Sequence, residues 1–303
     1  QFPNGYSGGT VEGKITLSVY DNGVDGYRDT INYGNGANGI KTAEVNFKVN
    51  VNPVADDATV KVGQPVGYED AGRSQGNTSK IGADASKIDK PENGIRLPIE
   101  VTSTDKDGSE TFTVTIKDIP NGGAIFVKDP VTKQDILVAY DKNGIPTLEV
   151  WKDGKVDGAY TGTTIKAGTG TITIEKYDNV NPPKFIPPHN AHGDFDLKID
   201  AKTVDTATIN GNTVTTENQT VTDKVITVVV KDVADFVVGN EYKTEELVLA
   251  DNSKKSYNTV ANEDEVINLK SIFTNSTKLS SYDKESEDLT IIIKDLPAGV
   301  TLE

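Results

Sequence analysis

The feature that most narrows the fold of this chain is a two-residue alternation, broken by turn residues at short intervals. Runs such as VEGKITLSVYD (11–21), TFTVTIKDI (111–119), GTITIEKYD (170–178), FDLKIDAKTVD (195–205) and VITVVVKDV (225–233) alternate apolar with polar residues or string β-branched ones together. A strand sends successive side chains to opposite faces, so this period describes half-buried strands. DNG, NGNGANG, NGG, KNG, KDG and INGN fall between the runs. Gly and Asn accept the positive φ that tight hairpin turns require. No long run carries a 3.6-residue period; EDEVINLKSIFTNS (263–276) is the best helical stretch, one or two turns long. The pattern predicts an all-β fold of Ig-like β-sandwiches.

Charge and cysteine content then exclude several functions. The 303 residues carry 46 acids against 31 bases, a net charge of −15. That balance argues against nucleic acid, whose phosphates need clustered Lys and Arg, and suits a solvated surface or a cation-binding protein. There is no Cys, which removes disulfides, thiolate metal sites and a Cys nucleophile. No stretch approaches the roughly 20 apolar residues of a membrane-spanning helix. The absence of Met and the ending AGVTLE suggest a piece of a longer polypeptide.

The chain repeats itself. VNPVADD (51–57) matches VKDVADF (230–236), GKITLSVYD (13–21) matches GDFDLKIDA (193–201), and ETFTVTIKDIP (110–120) matches EDLTIIIKDLP (287–297). These offsets, 177 to 180 residues, give three parts: the C-terminal part of one module (1–54), a complete module (55–234) and the N-terminal part of a third (235–303). About 180 residues is long for a sandwich of roughly 100. The excess is assigned to insertions at 72–94 and 128–162, the second reading as two hairpins with KNG and KDG turns.

Each module start carries three acidic features in the same order. The junction has Asp56 and Asp57 in the first copy, Asp232 and Asp235 in the second. An early Glu-Asp follows: Glu69 and Asp70, then Glu263, Asp264 and Glu265. Last comes an opening motif, Asp105, Asp107 and Glu110 in TDKDGSE, matched by Asp283, Glu285 and Glu287 in YDKESE. Crowded carboxylates repel unless a cation lies among them, and Ca²⁺ takes six to eight hard oxygens. Asp-x-Asp brings two carboxylates together on a turn, and Gly108 and Ser109 let the backbone bend so that Glu110 joins them. The competing reading is a set of solvated turn acids. No EF-hand spacing is present.

VADD, EDA, TDKDGSETFTVTIKDIPNGGAIF, PPHNAHGDFDLKIDAKTVD and VTDKVITVVVKDVAD together resemble the Ca²⁺-dependent tandem Ig-like or cadherin-like modules of giant bacterial repeats-in-toxin adhesins exported by type I secretion. The resemblance covers about two thirds of the chain and omits the two insertions. It implies an elongated array of modules at the bacterial cell surface, extracellular, stiffened by Ca²⁺ at the junctions and serving adhesion or biofilm formation. Neighbouring modules would be its partners, with a host or microbial glycan or protein as a further one. It also implies one Ca²⁺ set of Asp56, Asp57, Glu69, Asp105, Asp107 and Glu110, and a second of Asp235, Glu263, Asp283, Glu285 and Glu287. Asp194 is either a further ligand or a turn residue.

His189 and His192 are the only histidines, and His-x-x-His supplies at most half of a transition-metal site. A surface loop leading into a strand accounts for them. Trp151, with Tyr140 and Tyr160, sits in the second insertion, where aromatics either pack or dock a glycan or peptide. No Ser-His-Asp set or phosphate loop is present, so the sequence does not read as an enzyme.

Overall fold

A computed structural model describes residues 8–20, 40–73, 87–105 and 108–233, together with Ala298. Among the described residues the fold is all-β, with one 3₁₀ turn at Pro91–Asn93. The helical stretch expected at 263–276 lies outside the described residues.

Two strands come first. β1 (Gly9–Tyr20) and β2 (Ile40–Val51) pair antiparallel, Gly9 opposite Val51. After the segment 52–57, β3 (Ala58–Val62), β4 (Val66–Tyr68), β5 (Ile95–Arg96), β6 (Ile99–Ser103), β7 (Thr111–Lys117), β8 (Ala124–Lys128), β9 (Asp135–Tyr140), β10 (Pro146–Lys152) and β11 (Lys155–Ala159) follow. β12 (Ile165–Gly168), β13 (Thr171–Glu175), β14 (Lys184–Ile186), β15 (Gly193–Ile209) and β16 (Asn212–Lys231) complete the described strands. One six-stranded sheet has the order β11-β10-β9-β8-β14-β5, the other β12-β13-β7-β15-β16-β4, and β3 pairs with β6. β4 lies parallel to the end of β16, Val66 opposite Val229.

The two sheets enclose a single apolar core. Val114 and Ile116 of β7, Leu197 and Ile199 of β15 and Ile226, Val228 and Val230 of β16 meet Ile125 and Val127 of β8, Ile136 and Val138 of β9 and Phe185 of β14. The alternation seen in the sequence is what aims these residues to one side. Each fully buried aliphatic side chain contributes about 1.5–3 kcal/mol. A smaller cluster of Ala124, Phe126, Leu137, Trp151 and Ile186 fills the opposite face of the β8–β9–β10 sheet, with Ile88 packed against it. That is why β8 is apolar on both faces.

The insertion at 128–162 forms strands β9 to β11 of the first sheet. Asp153 and Gly154 take φ of 51° and 76° at the KDG turn, the left-handed pair a two-residue hairpin needs. Within the 72–94 insertion, Arg73 bridges to Ile88 and the 3₁₀ turn comes after it; 74–86 lie outside the described residues.

One repeat match is corrected. Gly9 opposes Val51 as Gly193 opposes Val230, so the structural counterpart of Gly193 is Gly9, an offset of 184, and not Gly13. The hairpin register decides it. The same shift sets Lys14 and Ile15 against Lys198 and Ile199.

Candidate functional site

The segment 52–57 is fastened to the module by its backbone. The amide of Val54 donates to Asp205 Oδ2 (3.1 Å), that of Ala55 to Thr216 Oγ1 (3.1 Å), that of Asp56 to Glu110 Oε1 (2.5 Å) and that of Ala58 to Thr220 Oγ1 (2.6 Å). The Thr203 hydroxyl donates to the Asp56 carbonyl. Asn218 Nδ2 donates to Asp57 Oδ1 (2.9 Å) and the Ala55 carbonyl (3.3 Å). Thr104 Oγ1 donates to Asp56 Oδ2 (3.2 Å), and Ser109 Oγ to Asp105 Oδ2 (3.3 Å). Asp56, Asp57, Asp105 and Glu110 therefore gather at one end of the sandwich.

Asp205 joins them. It is 1% exposed. Val204 opposes Thr111, so one further step of that antiparallel register sets Asp205 across from Glu110. Side chains so placed have Cβ atoms about 5 Å apart. Each carboxylate spends one oxygen on a 52–57 amide, while Asp205 Oδ1 and Glu110 Oε2 are buried with no hydrogen-bond partner among the described residues. A buried acceptor left unmade costs about 1–3 kcal/mol, and adjacent like charges add repulsion. A hard cation answers both deficits, and carboxylate, hydroxyl and carbonyl oxygens form a donor set that fits Ca²⁺. Among the described residues, no group of three or more acids or histidines is by itself close enough to hold a metal.

Asp205 escaped the sequence reading, yet a signal was present. In LKIDAKTVDTA the inward phase runs Leu197, Ile199, Ala201, Thr203, Asp205, Ala207, so an acid stands at a core-facing position.

Glu69 and Asp70 lie elsewhere. The Glu69 amide donates to the Lys231 carbonyl (3.0 Å), its Oε1 accepts from the Val233 amide (2.6 Å), and His192 Nδ1 is 3.5 Å from its Oε2. Asp232 comes directly after Lys231, and Asp194 opposes Val229, both acids exposed. Fifteen residues of β16 separate Thr216, beside Ala55, from Lys231, beside Glu69. β16 is bulged over that stretch, and β15 covers the same pairs in about 13 residues, so at about 3.3 Å per residue the separation is roughly 40 Å. The set that grouped Glu69 with Asp56, Asp105 and Glu110 is therefore divided between opposite ends, because β4 pairs with the far end of β16. Arg73, buried near Asp70 with Nη2 donating to the Pro187 carbonyl (2.9 Å), also went unnoticed; a lone Arg in a polar stretch gives no signal. Asp235, Glu263, Asp264, Asp283, Glu285 and Glu287 lie outside the described residues, as does Asp107.

The aromatic residues are packed. Tyr140 is 3% exposed and its hydroxyl donates to the Thr171 carbonyl (2.7 Å). Half-buried Tyr160 donates its hydroxyl to Asp129 Oδ2. Trp151 is 9% exposed and lines an open cleft of about 610 Å³. His189 and His192 are exposed, in the loop before β15.

No protein-family model, curated protein or solved structure matches the chain.

Proposed function

We propose that this chain is an extender stretch of a secreted bacterial surface adhesin, built of sandwich modules whose junctions are stiffened by Ca²⁺. One observation carries the reading: Glu110 and Asp205, neighbours in register, each hold a 52–57 amide with one oxygen and keep the other buried without a partner among the described residues. Ca²⁺ would supply the missing positive charge. Glu110 and Asp205 would hold it, with Asp56, Asp57 and Asp105 beside them. The same carboxylates grip the segment leading in from β2, so an ion there ties that segment to the module and removes hinge freedom. Thr104, Thr203 and Asn218 orient the segment by hydrogen bonds. Glu69, Asp70 and Asp232 occupy the opposite end, where the module hands on to 235–303. Each module in this reading contributes different acids to two different junctions.

The resemblance to adhesin repeats and the net charge of −15 support an extracellular setting, where modules bind Ca²⁺ at about 10⁻⁴–10⁻³ M. Burial of Tyr140 and Trp151 and the use of the 128–162 insertion as sheet strands favour this structural role over glycan or peptide docking through those rings.

Calorimetry and small-angle scattering, with Ca²⁺ and with EDTA, test the proposal. Chelation is expected to lower the melting temperature and raise flexibility at the junction. Superimposable thermograms and scattering profiles would end it.

A further inference from the structure

β7 runs beside β15 only from Lys198 to Val204. Beyond Val204, β15 and β16 continue as a two-stranded ribbon, from the pair Asp205–Thr216 to the pair Ile209–Asn212. At about 3.3 Å per residue the ribbon extends roughly 17 Å past the last rung with β7. An isolated pair of strands is marginal in water, but this one is reinforced on both faces. Outside, Thr206 opposes Thr215, their hydroxyl oxygens 3.3 Å apart, and Thr208 opposes Thr213, so β-branched residues pair across the strands. Inside, Asp205 and Ala207 are buried. Asn210 and Gly211 close the ribbon with φ of 50° and 80°, the left-handed pair of a two-residue turn.

The ribbon spans the junction. Its base holds the incoming segment, since Asp205 accepts from the Val54 amide and Thr216 from the Ala55 amide. Its tip reaches the β1–β2 hairpin. The Asn210 amide, which a two-residue turn leaves outside the ladder, donates to Thr10 Oγ1 (3.3 Å). The Thr10 hydroxyl donates in turn to Asn50 Oδ1 of β2 (3.1 Å). A Cβ on Gly9 would stand 3.6 Å from the Thr208 carbonyl oxygen, so the two backbones are close neighbours there.

We propose that this ribbon is a strut between modules, whose partner surface is the Gly9–Thr10 corner of the β1–β2 hairpin, and that it fixes the angle of that hairpin to the sandwich whether or not an ion is bound. A body held at one point pivots. The incoming part is held at two, through the 52–57 amides at the ribbon's base and through Thr10 at its tip. Bending about the base in the plane of the ribbon must break the tip contact. The tip contact uses a hydroxyl, a carboxamide and backbone groups and no carboxylate, so it is separable from the ion described above.

The chain has no Cys, so spin labels on Asn46→Cys and Lys155→Cys, both exposed positions, read a single distance between the hairpin and the sandwich. Pulsed electron resonance gives the distribution of that distance in Ca²⁺ and in EDTA. Two changes perturb the strut. Deleting Thr208–Ile209 and Asn212–Thr213 retracts the tip by roughly 7 Å and leaves Ala207 and Val214 flanking the same Asn-Gly turn in phase. Thr10→Val removes the acceptor from the opposite side and leaves 55–234 untouched, so a misfolded sandwich cannot account for its effect. Both variants are expected to lose the single narrow distance of the parent chain in Ca²⁺ as well as in EDTA. Distributions that coincide with the parent's in both buffers would overturn the strut, even where EDTA broadens all three proteins and so upholds the ion. A parent indifferent to EDTA, beside variants that broaden, would uphold the strut and count against the ion.

Discussion

Replacing Asp205 by Asn is the sharpest probe of the junction. Without a cation, two buried carboxylate oxygens, Asp205 Oδ1 and Glu110 Oε2, stand without partners among the described residues, which costs about 2–6 kcal/mol at about 1–3 kcal/mol each. The carboxamide keeps the shape, keeps an acceptor for the Val54 amide and removes one of the two charges. Stability in EDTA is therefore expected to be unchanged or higher. The gain from Ca²⁺ should fall. For a site with a Kd of about 10⁻⁴–10⁻³ M, raising free Ca²⁺ to about 10 mM stabilises the native chain by about 1.4–2.7 kcal/mol through mass action. For a module of this length that is a rise in melting temperature of roughly 3–11 °C. Differential scanning calorimetry of both proteins, with EDTA and with Ca²⁺, reads all four values. The variant should lose more than half of the Ca²⁺-dependent rise. An equal rise in Asp205→Asn would refute the reasoning, because the buried oxygen would then have no part in holding the ion.

Trp151→Ala should destabilise the module by about 3–5 kcal/mol by emptying the cluster it shares with Phe126, Leu137 and Ile186; urea unfolding followed by far-ultraviolet circular dichroism measures it. Tyr140→Phe should cost about 1 kcal/mol, since it strands the Thr171 carbonyl now bonded at 2.7 Å, in the same assay. Burial of Asp129 works to raise its pKa, but the Tyr160 hydroxyl and the Thr132 and Val131 amides outweigh it and hold the carboxyl below the ordinary value. Its contribution is thus fully present above about pH 4 and is lost as the pH falls through the lowered folded value. Acid unfolding of Tyr160→Phe should begin at higher pH than that of the parent chain, and coincident curves would contradict this.

The strands were legible because their signal is local. FDLKIDAKTVD declares its inward face residue by residue, and KDG at 152–154 declares its turn through Asp153 and Gly154. AIFVK (124–128) is apolar in both phases, and the structure buries both: Ile125 and Val127 in the main core, Ala124 and Phe126 beside Trp151 and Leu137. The acids were harder. Their chemistry was readable, but Glu69 reaches the far end of the module only because β4 lies against the last residues of β16, some 160 positions along the chain. Local pattern carries no trace of such a pairing. Asp205 was readable in principle from its phase, yet it stands alone in sequence and matched no repeated motif.

The parallel lie of β4 along the end of β16 also bears on how the module meets tension. Pulled between 54 and 233, β4 is drawn one way and β16 the other along their shared axis. The rungs at Val66–Val229, Gly67–Val230 and Tyr68–Lys231 are then loaded together in shear rather than peeled one by one. Glu69, bonded through its backbone to Lys231 and through its side chain to the Val233 amide, adds two more bonds to the same rank. Forced unfolding depends on the barrier to opening and not on equilibrium stability alone. A short strand in this orientation would thus act as a mechanical clamp under such a pull, at the end of the module where residue 233 leaves it.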